Sequence, residues 1–564
     1  MRKFVCYNIL THNMHWLDII TILIFSVAVL LTGVSLSRSG KDLKGFFGGG
    51  GNIPWGMSGL SLFMGFFSAG TFVVWGSIAY SSGLVAIIIQ LTMAIAGFLV
   101  GTFIAPRWNQ AGCLTAAEYI TSEFGLQTQK TYTMLFLAVS IFTSGSFLYP
   151  VAKILEVASG VPLSVSIVAL GIFCIIYTSL GGLRGVMVTD VLQFVILFTA
   201  VVIAIPLSFG KVGGLGEFIS NTPEAFFNCF SGEYTPWFIF AFCLYNAVFI
   251  GGNWSYVQRY TSVSTRKDAR KVGWLFGCLY LISPILWMLP PMIYRVFNPG
   301  LVGLENENAY LLMCKEALPS GLLGLMLGGM VFATASSLNG TLNISAGVFT
   351  NDIYKRLRPS ASDRSLINVA RISTVFFGLL AIIIALLVKS MGGIVNVVIS
   401  VAALTGVPLY LPVIWSMFSR RQTGRTLLSV TFISLAINIF FKFLAPGLIG
   451  LTLSRGQEMM MGAIVPIVLL SVIELYLKAI GSERAVTQVR RTTDSVDNPI
   501  VSEEDRKLKA FTNKVLGISI MTAGSMVVIL GMIAKSAKVV PVIAGVVVIG
   551  IGLFIYSKSR KWNC

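Results

Sequence analysis

Apolar runs long enough to cross a membrane recur from one end of this 564-residue chain to the other. A single soluble core cannot absorb them. A helix needs roughly twenty apolar residues to span the hydrocarbon. Runs of that kind are read at 16–36, 55–80, 84–104, 132–158, 162–179, 188–209, 237–260, 272–296, 321–348, 367–388, 394–418, 427–444, 462–478, 515–534 and 539–556. In lipid only helices and closed barrels satisfy their own backbone groups, and runs of this length are helical. The expected fold class is therefore an all-α polytopic membrane protein with about fifteen transmembrane helices. Charged residues make up 11% of the chain, about half the share found in a soluble domain.

The net charge of +18 comes from 41 Lys and Arg against 23 Asp and Glu. The basic clusters are Arg38/Lys41/Lys44, Arg107/Lys130, Arg184, Arg259 to Lys271, Lys355 to Arg371, Arg420/Arg421/Arg425, Arg484 to Lys509 and Lys558 to Lys561. They fall on every second connection, which the positive-inside rule assigns to the cytoplasm. The N-terminus is then outside and the C-terminus inside a cell (inner or plasma) membrane. The charge encodes topology, anionic lipid is the only polyanion it implies, and no nucleic acid is expected. The first run lacks a small-residue cleavage site and reads as a retained helix.

The two histidines, His12 and His15, precede the first span, so no imidazole is available in the bundle as base or metal ligand. Eight cysteines show no CxxC spacing. Cys229 and Cys314 fall in predicted external loops, where a disulfide and two unrelated thiols are both open. An enzyme is not expected. Nor does any hydrophilic segment suit a kinase or nucleotide-binding domain, since the longest internal one, 481–509, reads as a cytoplasmic linker. The role of the two helices at 515–556 is not readable.

Helix breakers cluster twice. Gly65, Gly70 and Gly76 surround Ser68 and Thr71 in the second span, and Gly251-Gly252 precedes Asn253-Trp254-Ser255-Tyr256 in the seventh. Interrupted helices at matching positions of two halves suggest an inverted-repeat transporter, in which unwound carbonyls face ions and substrate at the midplane. The bland alternative is close helix packing on glycine faces. A third feature is the run Ala333, Thr334, Ala335, Ser336, Ser337, Leu338, Asn339, Gly340 inside a very apolar helix. Hydroxyls there are costly unless something binds them. Back-bonding to the carbonyl four residues earlier is one answer, and a small hard cation such as Na⁺ is the other.

In four segments the chain resembles the sodium:solute symporter family of sodium/glucose, sodium/proline and bacterial sialic acid transporters. They are Gly49-Gly50-Gly51-Asn52-Ile53-Pro54, Tyr177 to Val186 with Thr189-Asp190, Val257-Gln258-Arg259-Tyr260, and Ser336 to Tyr354. The resemblance implies a LeuT-like five-plus-five inverted repeat with extra flanking helices. Its expected parts are one helix at 16–36, repeats at 54–209 and 237–418, two helices at 427–478, the linker, and two helices at 515–556. It implies Na⁺ as coupling ion and no other cofactor. The sodium ligands would be the carbonyls of Met64, Phe67 and Ala333 and the hydroxyls of Ser336 and Ser337. Asp190 would serve a second ion or gating, although its local reading is a capping anion at the interface. Asn339 and Gly340 stand where hydroxyls would complete that second site, so one Na⁺ per substrate is expected.

By family position the substrate lining would include Ser68, Thr71, Gln90, Ser146, Asn253 and Tyr256, with Trp75 and Trp254 as ring-stacking faces. Ser146 stands where the sialic acid branch has an arginine, which argues against an anionic substrate. Lys153 and Glu156 are read as a local ion pair. The expected function is sodium-coupled import of a small polar solute, a sugar or sugar derivative, by alternating access. A membrane sensor or a sodium-independent transporter of the same fold is the alternative. Proline, carboxylates and vitamins remain open as solutes, and oligomeric state is not readable.

Overall fold

The computed structural model describes residues 14–37, 53–113, 115–180, 183–483, 503–534 and 538–560. Most of the expected linker, the run Gly49 to Asn52 and the pair Gly181-Gly182 lie outside them. The described residues are helical almost throughout, and their only β feature is an isolated bridge between Ser231 and Tyr234.

The helices follow the apolar runs. The first half holds α1 (Trp16–Ser37), α2 (Trp55–Phe66), α3 (Gly76–Ser82), α4 (Leu84–Leu99), α5 (Ala105–Ala111), α6 (Ala116–Ser159), α7 (Leu163–Leu180) and α8 (Leu183–Lys211). The second half holds α9 (Pro236–Gly252), α10 (Trp254–Thr261), α11 (Arg266–Phe297), α12 (Ala309–Ala317), α13 (Leu322–Val348), α14 (Asp363–Leu387), α15 (Ile394–Val401) and α16 (Val407–Ser416). Behind them come α17 (Gly424–Ile439), α18 (Arg455–Ala479), α19 (Glu503–Ile533) and α20 (Val539–Arg560). Eleven helices among the described residues are long and apolar enough to cross a membrane, or thirteen if each bent pair is one span. Shorter apolar stretches lie at Trp16–Val29 and Leu163–Ile176, so the expected fifteen is not reached by that criterion.

Local chemistry sets the starts of these helices. Thr115, Thr235, Thr265 and Ser362 each accept a backbone N–H from the first turn of the helix they open, and Thr423 and Ser454 make full capping boxes. The run at 132–158 begins earlier than expected, because a solvent-side helix from Ala116 joins it across Gly125 (φ 80°).

Both expected breaks are present. The pair Trp55–Phe66 and Thr71–Ser82 bends by 56°, and the pair Pro236–Gly252 and Trp254–Thr261 by 59°. At the first, Phe67 turns extended (φ −86°, ψ 101°), and a π-turn from Thr71 to Trp75 precedes α3. At the second, Asn253 does the same (φ −63°, ψ 128°) and caps α10 by accepting from the Ser255 N–H. The glycines beside the breaks have packing reasons as well. A Cβ on Gly252 would come 2.7 Å from the Tyr410 Cβ, and one on Gly65 would press on the Tyr256 ring at 3.1 Å.

Helix α13 is the centre of the molecule, with 94% of its most apolar window buried. It packs against α1, α2, α6, α8 and α14. Its N-terminus is capped from another helix, because the buried Asp18 carboxylate on α1 accepts the N–H groups of Gly321 (2.6 Å) and Gly324 (2.8 Å). Helices α19 and α20 lie against each other along glycines, and a Cβ on Gly524 would fall 2.9 Å from the Ile549 backbone nitrogen. This hairpin docks on α1 and α8, with Thr32 and Ser519 hydroxyls 2.9 Å apart.

Among the described residues three of the basic clusters meet at one end, although Arg259, expected at that surface, is buried. Arg107, Arg266, Lys267, Arg270 and Arg420 come together around one cavity. At the opposite end Lys153 pairs with Glu156 at 2.9 Å. There the buried Glu307 accepts the Ile394 N–H at 3.2 Å, holding the start of α15. The Cys229 and Cys314 thiols are both free, Cys229 exposed and Cys314 buried.

Candidate functional site

Going up α2 from the basic end, where Lys271 sits over the Trp55 ring, three polar levels face the molecule's centre. At the lowest, the Ser58 hydroxyl donates to the Arg259 carbonyl at 2.7 Å. One turn higher the Ser61 hydroxyl donates to Asp190 Oδ2 at 2.6 Å, and the Ser336 hydroxyl donates to Asp190 Oδ1. One more turn brings the Met64 carbonyl, which accepts from the Ser337 hydroxyl at 3.2 Å. The break follows at once, and the Ala69 N–H there donates to the Thr334 hydroxyl at 2.8 Å.

The third level is the candidate cation site. Ser337 Oγ lies 3.2 Å from both the Met64 and the Ala333 carbonyl oxygens, so three neutral oxygens converge between α2 and α13. Back-bonding to Ala333 is part of this geometry, but it does not explain the reach across to Met64. Met64, Phe67 and Ala333 are buried to 1% exposure or less, and Ser336 and Ser337 to 4% and 5%. Only carbonyls would be used at Met64 and Phe67, so their large side chains leave the donor set unchanged. Phe67 instead packs its ring against Trp287, with centroids 3.9 Å apart. Neutral hard oxygens of this kind suit Na⁺.

Adjacent helical positions face about 100° apart, and the two serines divide accordingly. Ser337 turns to the break and Ser336 to Asp190. The Ser336 oxygen keeps lone pairs for a cation while it donates its proton. Asp190 itself is not an interfacial cap. It is 1% exposed and buried between α2 and α13. Its depth was hidden in the sequence because it sits near the start of an apolar run.

Beside the first break lies a cavity of about 140 Å³, lined by residues of both broken helices. Ser68, Thr71, Ser146, Tyr256 and Trp75 line it as expected. Gln90 and Asn253 do not. Gln90 is buried on α4 with its amide nitrogen lacking a protein partner, and Asn253 spends its amide on capping α10 and on the Tyr410 hydroxyl (3.2 Å). Trp254 also points elsewhere, stacking on Phe136 at 4.5 Å.

Sequence reasoning missed Asn246, Thr143 and Thr405, all of which line the cavity. Asn246 donates to the Thr92 hydroxyl at 2.8 Å, leaving its carbonyl oxygen buried without a partner. An isolated amide in an apolar span is the signal that could have found it. Phe66 stacks on Tyr256 at 4.4 Å and forms an aromatic wall with it. Among the described residues no Asp, Glu, Lys, Arg or His lines this cavity.

Residues 46–433 match the model of the sodium:solute symporter family. The chain is 25% identical over 472 residues to a sodium/glucose cotransporter of Vibrio parahaemolyticus, covering 77% of this chain and 86% of the relative. It is 28% identical over 391 residues to a sodium/sialic acid symporter of Proteus mirabilis, covering 66% and 79%. A solved substrate-bound, outward-open Na⁺-coupled sialic acid symporter superposes with a TM-score of 0.72 at 22% identity, over 84% of this chain and 100% of that one. That likeness establishes the fold, a LeuT-like bundle of helices.

Proposed function

The chain belongs to the sodium:solute symporter family, and on that footing we propose that it imports a small neutral polyhydroxy solute, a sugar or sugar derivative. Sodium-coupled solute symport is the family's activity. The solute class rests on one observation, the lining of the cavity. Hydroxyls of Ser68, Thr71, Thr143, Ser146 and Thr405, the Asn246 amide and the Tyr256 and Trp75 rings surround it without a charged side chain. Such a lining serves hydroxyl-rich rings, through neutral donors and acceptors and aromatic faces. A carboxylate buried there would lack the cation it needs. The glucose relative supports the reading, and the sialic acid relative marks the competing one.

In this account Na⁺ is held by the Met64, Phe67 and Ala333 carbonyls and the Ser336 and Ser337 hydroxyls. It ties the first broken helix to α13 next to the cavity. Ser68 and Thr71 in the break belong to the cavity, whereas Met64 one turn earlier belongs to the ion site, so ordering the break serves both ligands. Each ligand then favours the state that the other prefers, and this differential affinity is the coupling. Rocking of the bundle exposes both sites to the cytoplasm, where low Na⁺ releases the ion. One Na⁺ moves with each solute, and the N-terminus lies outside and the C-terminus inside.

Counterflow in proteoliposomes against a panel of neutral sugars, polyols, sugar acids and amino acids tests the solute class. Exchange of a neutral sugar or polyol is expected. Exchange confined to sugar acids or amino acids would refute the neutral-sugar reading and leave sodium coupling standing.

A further inference from the structure

The cavity at the basic end measures about 800 Å³, and its lining shares no residue with the solute cavity or the ion site. Five basic side chains line it, Arg107, Arg266, Lys267, Arg270 and Arg420, against the carboxylates of Glu118 and Glu123. Among the described residues Arg107, Arg266, Arg270 and Arg420 have no carboxylate partner, whereas their neighbours Lys271 and Arg421 pair with Asp268 and Glu474. Three of the five crowd the first turns of α11, where the helix dipole is already positive. Arg107 is held from two sides. Its Nη1 donates to the Phe103 carbonyl at 2.6 Å, and its guanidinium lies 3.9 Å over the Phe418 ring. Forked donors gathered without a counter-charge suit a phosphate.

An apolar track leads into this cavity. Ile95 and Leu99 on α4 and Phe103 in the π-turn that follows are exposed and spaced four apart, and Arg107 on α5 is the next position in the series. Trp274 on α11 is half-exposed, and its Nε1 donates at 3.1 Å to the Thr102 hydroxyl in the cavity wall. Glycines let α4 and α11 close up there, since a Cβ on Gly273 would come 2.4 Å from the Gly101 Cα. Exposed apolar residues occur all round a membrane bundle, but this track ends in a pocket of arginines. We propose that the cavity binds the headgroup of an anionic phospholipid, with its phosphate on Arg107, Arg266, Arg270 and Arg420 and one acyl chain along Ile95, Leu99 and Phe103. Basic pockets between helices at the cytoplasmic end are suited to such lipids. A soluble phosphate would meet the same guanidinium groups and leave the track uncovered. Bound lipid draws α5, α11 and the end of α16 together, so it stabilises the protein.

The test is the melting temperature of the full chain in detergent micelles doped with phosphatidylglycerol or with phosphatidylcholine. Native mass spectrometry, counting the lipids each protein retains, is the second readout. Phosphatidylglycerol alone should stabilise wild type, saturably, and be retained. Arg266→Gln with Arg270→Gln should need at least about tenfold more of it for the same shift. Arg266→Lys with Arg270→Lys keeps the charge and should recover most of the response. Lys355→Gln with Arg358→Gln removes two exposed charges outside the cavity and should leave the response within about twofold. An equal loss in that control would reveal only a diffuse surface field, and no phosphatidylglycerol effect in wild type would mean no site. Either result overturns the proposal. So does stabilisation by inorganic phosphate or glycerophosphoglycerol that matches the lipid's, which would assign the cavity to a soluble phosphate. Arg420→Gln, a single change at an exposed position, covers the case in which the glutamine pair does not fold. It should retain less phosphatidylglycerol, and an unchanged count would contradict the site.

Discussion

Ser337 on α13 donates its hydroxyl to the Met64 carbonyl on α2, 273 residues away in the chain and 3.2 Å away in space. The contact joins the central, deeply buried helix to the last turn before a 56° break. That is where a bound ion would couple a local oxygen set to the shape of the bundle.

Ser337→Ala removes one of those oxygens while keeping the helix. Its direct cost to stability is about 1 kcal/mol, that of a single hydrogen bond. Na⁺-dependent stabilisation, by contrast, should shift to at least about tenfold higher Na⁺, a loss of roughly 1.4 kcal/mol or more in ion binding. Melting curves across a Na⁺ series with K⁺ as the balancing salt check this. An unchanged midpoint concentration would place the ion elsewhere.

Asn246→Leu keeps side-chain volume and removes the amide that faces the cavity. Solute affinity should fall about tenfold to a hundredfold, since a polar solute group would meet an apolar surface. Na⁺ stabilisation without solute should be preserved. Gln90→Leu is the paired control, expected to spare affinity because Gln90 does not line the cavity. Equal losses in both variants would mean that the residues act through packing.

Asp18→Ala leaves the N–H groups of Gly321 and Gly324 unpaired at the buried start of α13. It should cost about 2–3 kcal/mol, seen as a lower melting temperature with solute selectivity unchanged. Asp18→Asn keeps one acceptor and should lose less. Equal melting temperatures for all three proteins would show that α1 merely leans on α13.

Burial raises the Glu307 carboxyl above its ordinary 4.5, with Lys153, the Tyr149 hydroxyl and the Ile394 N–H opposing the rise. The folded state therefore holds this proton more tightly than the unfolded state does. Its contribution to stability is greatest below 4.5 and falls as pH rises through the folded value. Relative to Glu307→Gln, which does not titrate and still accepts from Ile394, wild type should lose stability as pH climbs out of that window. Parallel melting temperature profiles of the two proteins from pH 4 to 8 would contradict the assignment, and Lys153→Met should widen their gap.

The spans, both breaks and the Ser336-Ser337 pair were legible because each is a local departure from a strong apolar pattern. The cavity was less so. Asn253 reads like a ligand beside a glycine pair, yet the same break that exposes a ligand also needs a cap, and Asn is a good one. Only the fold decides which use wins. Asp190 and Arg259 lie 69 residues apart in the numbering and on different halves of the chain. Each looked interfacial alone, and their shared burial follows only from how α2 brings Ser58 and Ser61 to them. The close seam of α19 and α20 was visible as spaced glycines, but its docking surface on α1 and α8 was not.

The most direct test is ²²Na⁺ uptake into proteoliposomes with and without a saturating counterflow solute, for wild type, Ser337→Ala and Gln90→Leu. Solute-stimulated ²²Na⁺ entry in wild type and Gln90→Leu, abolished in Ser337→Ala, is the predicted result. Full solute-stimulated entry in Ser337→Ala would show that the ion is not coupled at the Met64, Ala333 and Ser337 oxygens.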